Sequence, residues 1–276
     1  MNHILLVEDD RTTRYLLREV LKAAGFSVVM ASDGVQALAQ LRKKNFDLLL
    51  TDIWMPRMNG LELLARLHAG SIRVRVVVMT SDDTPETMLK AVREQAYQYV
   101  TKPVAPEKLV EVVRDALAVS PASPPIEVIS ARSDWVELLV PCEAAAADRI
   151  EGFLERLGAD LSEDVRLTVG QAFRELLSNA IEWGGKFDPN RKVRIACLRT
   201  RRMILYRIAD PGPGFRLEDL PHAAVSNPGD PLKHVFVREE KGLRAGGFGI
   251  AMTKAMVDEL IYNEARNEVV FVKYLD

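Results

Sequence analysis

Glu175-Leu-Leu-Ser-Asn179 lies inside a helical pattern that runs from Glu163 to Trp183. Glu175 and Asn179 are four residues apart, so both side chains project from one face of that helix. A carboxylate in such a position can orient or deprotonate a hydroxyl group or a water molecule. An amide oxygen beside it is a hard ligand of the kind that Mg²⁺ takes. The pair therefore marks this helix face as a candidate catalytic surface.

Two glycine motifs follow this helix along the chain. Asp210-Pro-Gly212-Pro-Gly214 ends an apolar run, and its carboxylate can accept a hydrogen bond from an exocyclic amine such as that of adenine. Its glycines let the backbone pass close to a flat ring. Gly246-Gly247-Phe248-Gly249 precedes a helical pattern from Ile250 to Leu260, and bare amides at a helix N-terminus favour phosphate. Together the three stretches predict an ATP site.

The three stretches, in this order, resemble the N, G1 and G2 boxes of the GHKL ATPase superfamily. The resemblance implies an α/β two-layer sandwich in which Glu175 is the catalytic residue. The irregular segment from Pro211 to Ala245, between the second and third boxes, is then a candidate ATP lid. The ATP-binding residues that the resemblance implies are Asn179, Asp210, Gly212, Gly214, Gly246, Gly247, Phe248 and Gly249.

The first part of the chain alternates apolar runs with helical patterns, which predicts a doubly wound, five-stranded parallel sheet. Ligands of such sheets bind at the carboxyl ends of the strands. Polar residues follow the apolar runs at those ends: Glu8-Asp9-Asp10 after His3–Val7, Asp52 after Leu48–Thr51, Thr80 after Val74–Met79, and Lys102-Pro103 after Tyr97–Thr101.

The residue types at these strand ends are suited to phosphoryl chemistry. Close carboxylates repel one another, and a divalent cation relieves that repulsion. Asp52 can act as a nucleophile toward phosphorus. Thr80 and Lys102 can contact the new phosphoryl oxygens.

This region resembles a response-regulator receiver domain of the CheY type over roughly the first 118 residues. The resemblance includes Met55-Pro-Arg-Met-Asn-Gly60 and a Lys102-Pro103 bond expected to be cis. It implies that Glu8, Asp9 and Asp52 hold Mg²⁺ and that Asp52 accepts a phosphoryl group from a sensor histidine kinase. The implied switch residues are Thr80, Tyr99 and Lys102.

The length of 276 residues suits two domains. We predict a receiver domain over 1–119, a semi-rigid proline-rich linker over 120–125 and an ATPase domain over 126–276. The formal net charge of −2 gives no electrostatic case for a nucleic-acid partner. No apolar run approaches the roughly 20 residues of a membrane span, and Met1-Asn2-His3 leads directly into a strand, so a cytoplasmic protein is expected. Cys142 and Cys197 lack metal-ligand spacing and are expected to be buried thiols.

The four histidines argue against a kinase that phosphorylates its own histidine, since none is followed by the acidic-polar pattern of an H box. The ATPase region instead resembles the RsbW/SpoIIAB type of anti-sigma factor serine kinase. In that family a glutamate is the general base toward a serine of an anti-anti-sigma (STAS-like) protein. Glu175 would be that base and Asn179 the Mg²⁺ ligand, although Trp183 stands where the family often has His.

The sequence favours the first of three functions, because Glu175 is present as a candidate base, and the other two are alternatives. The first is a serine/threonine protein kinase under receiver control, the second a non-catalytic ATP-binding module that sequesters a sigma factor or another partner, and the third a histidine-kinase-like phosphotransfer component. A homodimer through either domain is compatible with all three.

Overall fold

The computed structural model describes residues 1–70, 72–82, 84–94, 96–118, 124–132, 134–157, 160–216 and 249–275. The chain forms two compact units, Met1–Glu127 and Val128–Asp276. Residues 119–123 lie outside the described ranges, and the linker therefore stays a prediction. No helix of the described ranges is long and apolar enough to cross a membrane.

The first unit is the expected doubly wound parallel sheet, in the strand order β2-β1-β3-β4-β5. Its central strands are near-continuous apolar runs because helices cover both faces, and Ile4, Leu6 and Leu49 have no exposed surface. The strands are β1 His3–Val7, β2 Ser27–Ala31, β3 Leu48–Asp52, β4 Arg75–Thr80 and β5 Gln98–Thr101. The helices are α1 Arg11–Ala23, α2 Gly34–Leu41, α3 Gly60–Ala69, α4 Pro85–Arg93 and α5 Pro106–Ala118.

Polar residues after the strands also start the helices of this unit. The Asp10 carboxylate accepts a hydrogen bond of 2.7 Å from the Thr13 amide, which caps α1. Asp33 caps α2 in the same way. Asn59 and Glu62 form a capping box at the start of α3. Of the acidic run after β1, Asp10 is therefore a helix cap.

The second unit is a six-stranded sheet in the order β10-β11-β9-β8-β7-β6, with antiparallel pairs from β7 through β10. Helices pack on the face that carries Leu138, Ile195 and Phe271, all nearly or fully buried. This is the predicted two-layer arrangement. Its strands are β6 Glu127–Ala131, β7 Trp135–Pro141, β8 Lys192–Arg199, β9 Met203–Ala209, β10 Glu259–Tyr262 and β11 Glu268–Tyr274. Its helices are α6 Ala144–Leu157, α7 Glu163–Asn179 and α8 Gly249–Met256.

Two segments differ from the helical patterns expected from the sequence. The α-helix predicted to continue to Trp183 ends at Asn179, and Ala180–Gly184 forms a π-helical turn. The helix predicted from Ile250 to Leu260 ends at Met256, so the prediction for its last turn was wrong. There Leu260 pairs with Phe271 in the sheet, a long-range contact that overrides the local helical period.

Candidate functional site

Three carboxylates meet at the carboxyl edge of the parallel sheet. Glu8 and Asp9 follow β1, and Asp52 ends the neighbouring strand β3. One carboxylate oxygen from each residue lies within 4.8 Å of the others. Glu8 and Asp52 are buried, whereas Asp9 is exposed. Three oxygen donors at this spacing suit a hard divalent cation, so the residues present fit Mg²⁺.

Lys102 bridges two of these carboxylates. Its Nζ atom donates hydrogen bonds of 2.6 Å to Glu8 Oε2 and of 2.6 Å to Asp52 Oδ2. Burial raises the pKa of Glu8, and the bond from Lys102 only partly offsets that effect. Burial alone would lower the pKa of Lys102, but its bonds to Asp52 and Glu8 outweigh burial and raise it. Lys102 therefore stays charged beside Asp52. The Lys102–Pro103 bond is cis, as expected.

The other two expected switch residues lie on β4 and β5. Thr80 is almost fully buried, and its hydroxyl donates to the Asp82 carbonyl at 3.1 Å and accepts from the Asp82 amide at 3.0 Å. Asp82 in turn accepts a bond of 2.7 Å from Thr87 of α4, which lowers the pKa of Asp82. Tyr99 stands beside Val78 in the sheet and is half-buried against the core. Thr80 thus connects the end of β4 to α4.

Sequence reasoning missed the reason for Gly60 at the start of α3. A Cβ atom there would lie 2.2 Å from the backbone oxygen of Asp52. The Gly60 amide donates to the Ile53 oxygen at 2.8 Å. The loop after β3 therefore folds back directly under the expected phosphoacceptor, and only glycine fits at the contact. A glycine at the first position of a helix is the signal that could have revealed this.

In the second unit, Glu175 and Asn179 meet the first residue of α8. A Cβ atom on Gly249 would lie 2.1 Å from Glu175 Oε2 and 3.7 Å from Asn179 Nδ2. Glu175 is exposed and Asn179 is half-buried. The structure therefore brings the N box, which contains Glu175 and Asn179, into contact with Gly249, the last residue of the G2 box. Gly246, Gly247 and Phe248, which were also expected to bind ATP, lie outside the described residues.

The π-helical turn that follows α7 contacts the G1 box, which spans Asp210 to Gly214. A Cβ atom on Gly184 would lie 2.2 Å from Asp210 Oδ1, the oxygen that accepts a bond of 2.7 Å from the Gly212 amide. Burial raises the pKa of Asp210, and the Gly212 amide and Arg191 oppose that shift. Gly184 was missed from the sequence, where it appears only as a glycine at the end of a helical pattern. π-Helical turns occur frequently at functional sites.

The glycines of the second box make close contacts within the protein. A Cβ atom on Gly212 would lie 2.7 Å from Asp210 Oδ1 and 2.9 Å from Gly184 Cα. Gly214 has a φ of +82°, and a Cβ atom there would lie 1.7 Å from the Ala265 oxygen. Both positions therefore need glycine for packing. The expected lid is described only as far as residue 216.

Both cysteines are buried and free, as expected. Burial raises the pKa of the Cys142 thiol and that of the Cys197 thiol to about 11. Cys142 Sγ would lie 2.2 Å from a Cβ atom on Gly185, so this thiol fills the space under the turn that follows the π-helical segment. These thiols are packing groups.

Comparison with known proteins gives matches for each half of the chain. Residues 4–114 match the family model of the response regulator receiver domain. Residues 140–273 match that of the histidine kinase-like ATPase domain.

Individual relatives match the first half. The chain is 36% identical over 115 residues to the transcriptional regulatory protein ZraR of Klebsiella oxytoca, covering 42% of this chain and 26% of that protein. It is 36% identical over 114 residues to the response regulator MprA of Mycobacterium leprae, covering 41% of this chain and 50% of that protein. The chain thus spans half or less of these relatives' length. Among solved structures, the response regulator TrrA of Thermotoga maritima is 30% identical, with 42% of this chain and 100% of that chain covered and a TM-score of 0.40.

The two family matches agree with the two folds. A parallel sheet with three carboxylates and a lysine at one edge is followed by an antiparallel sheet with helices on one face. The chain thus combines a response regulator receiver domain with a histidine kinase-like ATPase domain.

Proposed function

We propose that this protein is a response regulator whose output is an ATP-dependent serine/threonine protein kinase. In this proposal a sensor histidine kinase phosphorylates Asp52, and the ATPase domain phosphorylates a serine on a small anti-anti-sigma (STAS-like) protein in a pathway that controls a sigma factor. One observation carries the proposal. Helix α7 and the π-helical turn form one continuous segment. In this segment Glu175 lies against Gly249, and Gly184 lies against Asp210.

In the receiver, Asp52 would be the acceptor, because it ends a central strand beside the carboxylates of Glu8 and Asp9 and is bonded to Lys102. Glu8, Asp9 and Asp52 would hold Mg²⁺, which would offset the negative charge of an incoming phosphoryl group. Lys102 Nζ, already bonded to Asp52 Oδ2, is placed to contact a phosphoryl oxygen once Asp52 carries one.

In the ATPase domain, Glu175 would take the proton of the acceptor hydroxyl as that oxygen bonds to the γ-phosphorus of ATP. The bond from the γ-phosphorus to the bridging oxygen breaks, and ADP leaves. The exposure of Glu175 supports this role, since a protein substrate must reach the carboxylate. Asn179 would supply an oxygen ligand to the Mg²⁺ of ATP. Asp210 would accept a hydrogen bond from the adenine amine. The N-terminus of α8 at Gly249 would face the phosphates.

The test incubates the chain with ATP labelled on its γ-phosphate and a STAS-like protein that carries a serine. Transfer of an acid-stable label to that protein, lost in Glu175→Gln but retained in Asp52→Asn, is the expected result. A label on the chain that disappears in Asp52→Asn would instead indicate phosphotransfer to its own receiver. ATP binding with no transfer to any protein would favour a sequestering module and contradict the kinase.

A separate test addresses regulation by the receiver. Beryllofluoride with Mg²⁺ mimics a phosphoryl group on Asp52, and the rate of transfer or the affinity for the partner is measured with and without it. A coupling free energy of about 1–3 kcal/mol is typical, so a change of about 5-fold to 150-fold is expected. No change in either quantity would contradict receiver control.

The linker proposal has its own control. Replacement of residues 120–125 by Gly/Ser should reduce the response, because a slack linker averages out a motion of the preceding helix. A full response in this variant would exclude transmission through the linker while leaving regulation intact.

A further inference from the structure

The loop of the second box is attached to a turn that none of the three boxes contains. The turn spans residues 263–267, between β10 and β11. The Asp210 amide donates to the Asn267 oxygen at 2.8 Å, and the Phe215 amide donates to the Ala265 oxygen at 3.1 Å. Backbone bonds thus attach both ends of the loop to the same turn.

The Asn267 side chain makes the contact in the middle of this loop. Its Nδ2 atom donates a hydrogen bond of 3.0 Å to the Gly212 carbonyl oxygen. The Gly212 amide donates to Asp210 Oδ1 at 2.7 Å. Asn267 therefore orients the residue that fixes one oxygen of the Asp210 carboxylate, which leaves the other oxygen as an acceptor for a ligand.

The orientation of the Asn267 amide is itself fixed by the turn. Its Oδ1 atom accepts a bond of 2.8 Å from Asn263 Nδ2. Asn263 Oδ1 accepts from the backbone amides of Asn267, at 3.1 Å, and of Glu268, at 3.2 Å. Since Asn263 occupies the oxygen, the nitrogen of the Asn267 amide faces Gly212.

Other residues of the loop are held by contacts that do not involve the Asn267 side chain. An Arg191 guanidinium nitrogen donates to the Pro211 oxygen at 2.5 Å. Gly214 approaches the Ala265 oxygen so closely that no Cβ atom would fit. Loss of the Asn267 bond would therefore release Gly212 while leaving the rest of the loop attached.

We infer that Asn267 is a positioning residue. By holding the Asp210 carboxylate through Gly212, it sets the preference for a purine that carries the exocyclic amine of adenine. The inference rests on the proposed function, in which Asp210 recognises the adenine amine. ATP should bind better than purine riboside triphosphate, which lacks that amine, because the analogue leaves a half-buried acceptor unpaired. The ratio of the two affinities reports the Asp210 contact alone, whereas general damage to the site lowers both affinities together.

The experiment measures both nucleotides by calorimetry on the full chain, with Mg²⁺ present. Asn267→Asp is the main variant, because it keeps the acceptor for Asn263 and replaces the donor to Gly212 by a carboxylate oxygen, which also adds a negative charge. Asp210→Ala removes the proposed amine acceptor. Glu264→Gln, at an exposed position of the same turn, is the matched control.

We expect the wild-type chain and Glu264→Gln to prefer ATP about tenfold or more, the effect of one hydrogen bond to a charged group. In Asn267→Asp the preference should fall to within about threefold of unity, because an effect of the added charge on both nucleotides cancels in the ratio of their affinities. An Asn267→Asp variant that keeps the full preference, or that loses affinity for both nucleotides equally, overturns the inference.

The proposed function fails in a distinguishable way. If the wild-type chain has no preference for ATP, or if Asp210→Ala retains that preference, Asp210 does not recognise the amine. In that case the adenine-binding part of the proposed function and the inference about Asn267 are both wrong. If Asp210→Ala abolishes the preference while Asn267→Asp retains it, only the role of Asn267 is wrong.

Discussion

The Glu175 carboxylate occupies the space that a side chain at Gly249 would need, since a Cβ atom there would lie 2.1 Å from Glu175 Oε2. The contact joins the C-terminal part of α7 to the first residue of α8. It places the proposed general base at the helix N-terminus where phosphates are expected to bind. The position of this base therefore depends on the absence of a side chain 74 residues further along the chain.

Gly249→Ala should slow phosphoryl transfer at least tenfold, because the added methyl group displaces Glu175, and misplacing a catalytic group by about 1 Å can cost 10²-fold in rate. The measurement is the rate of label transfer at saturating ATP. Gly170→Ala, on the same helix as Glu175, is the control. A Cβ atom at Gly170 meets nothing within 4 Å, so this variant should keep its activity and gain about 0.5–1 kcal/mol of stability. Full activity in Gly249→Ala would mean that the base is not held by this contact.

Trp54→Asn should shorten the lifetime of the phosphoryl group on Asp52. Trp54 is two residues after the acceptor and 55% exposed, and its amide lies 3.4 Å from Asp52 Oδ1. We expect the bulky ring at this point to shield the path of an attacking water. The measurement is the decay of label after a small phosphodonor is removed, with Trp54→Phe as a control that keeps a ring. An unchanged lifetime in Trp54→Asn would remove the support for shielding.

Thr253→Val should raise the free energy of unfolding by about 1 kcal/mol, observed as a higher transition temperature in calorimetry. The Thr253 hydroxyl is fully buried and has no hydrogen-bond partner among the residues that the structure describes. Replacing an unpaired buried hydroxyl by a methyl group removes its desolvation cost. Thr253→Ser, which keeps the hydroxyl and loses a methyl group, should be destabilised. A destabilised Thr253→Val would indicate a partner outside the described ranges.

The stability difference between the wild-type chain and Asp210→Asn should change with pH in a defined direction. Burial raises the pKa of folded Asp210 above its ordinary value of 3.8. The folded state thus binds a proton more tightly than the unfolded state. The stabilisation from this proton is complete below pH 3.8 and is lost as the pH rises through the folded pKa. Asp210→Asn should therefore gain stability relative to wild type across that window in calorimetric scans, and the opposite slope would contradict the shift.

The receiver half was accessible from sequence because its site follows a topological rule. Glu8, Asp9 and Asp52 come directly after apolar runs, and parallel strands bring their carboxyl ends to one edge. The cluster of these three carboxylates with Lys102 therefore needed no knowledge of long-range packing. The buried thiols could be predicted from the local sequence, since each lies in or beside an apolar strand.

In the ATPase half, the sequence alone determined the order of the boxes and the shared helix face of Glu175 and Asn179, because helical spacing is a local property. Only the tertiary structure decided that Gly184 meets Asp210, that Asn267 holds Gly212, and that the segment after Met256 becomes a strand. These contacts join segments that are far apart along the chain, so they produce no repeating pattern in the local sequence from which they could be predicted. They depend on which surfaces the packed sheet brings together, and that is settled only when the whole domain folds.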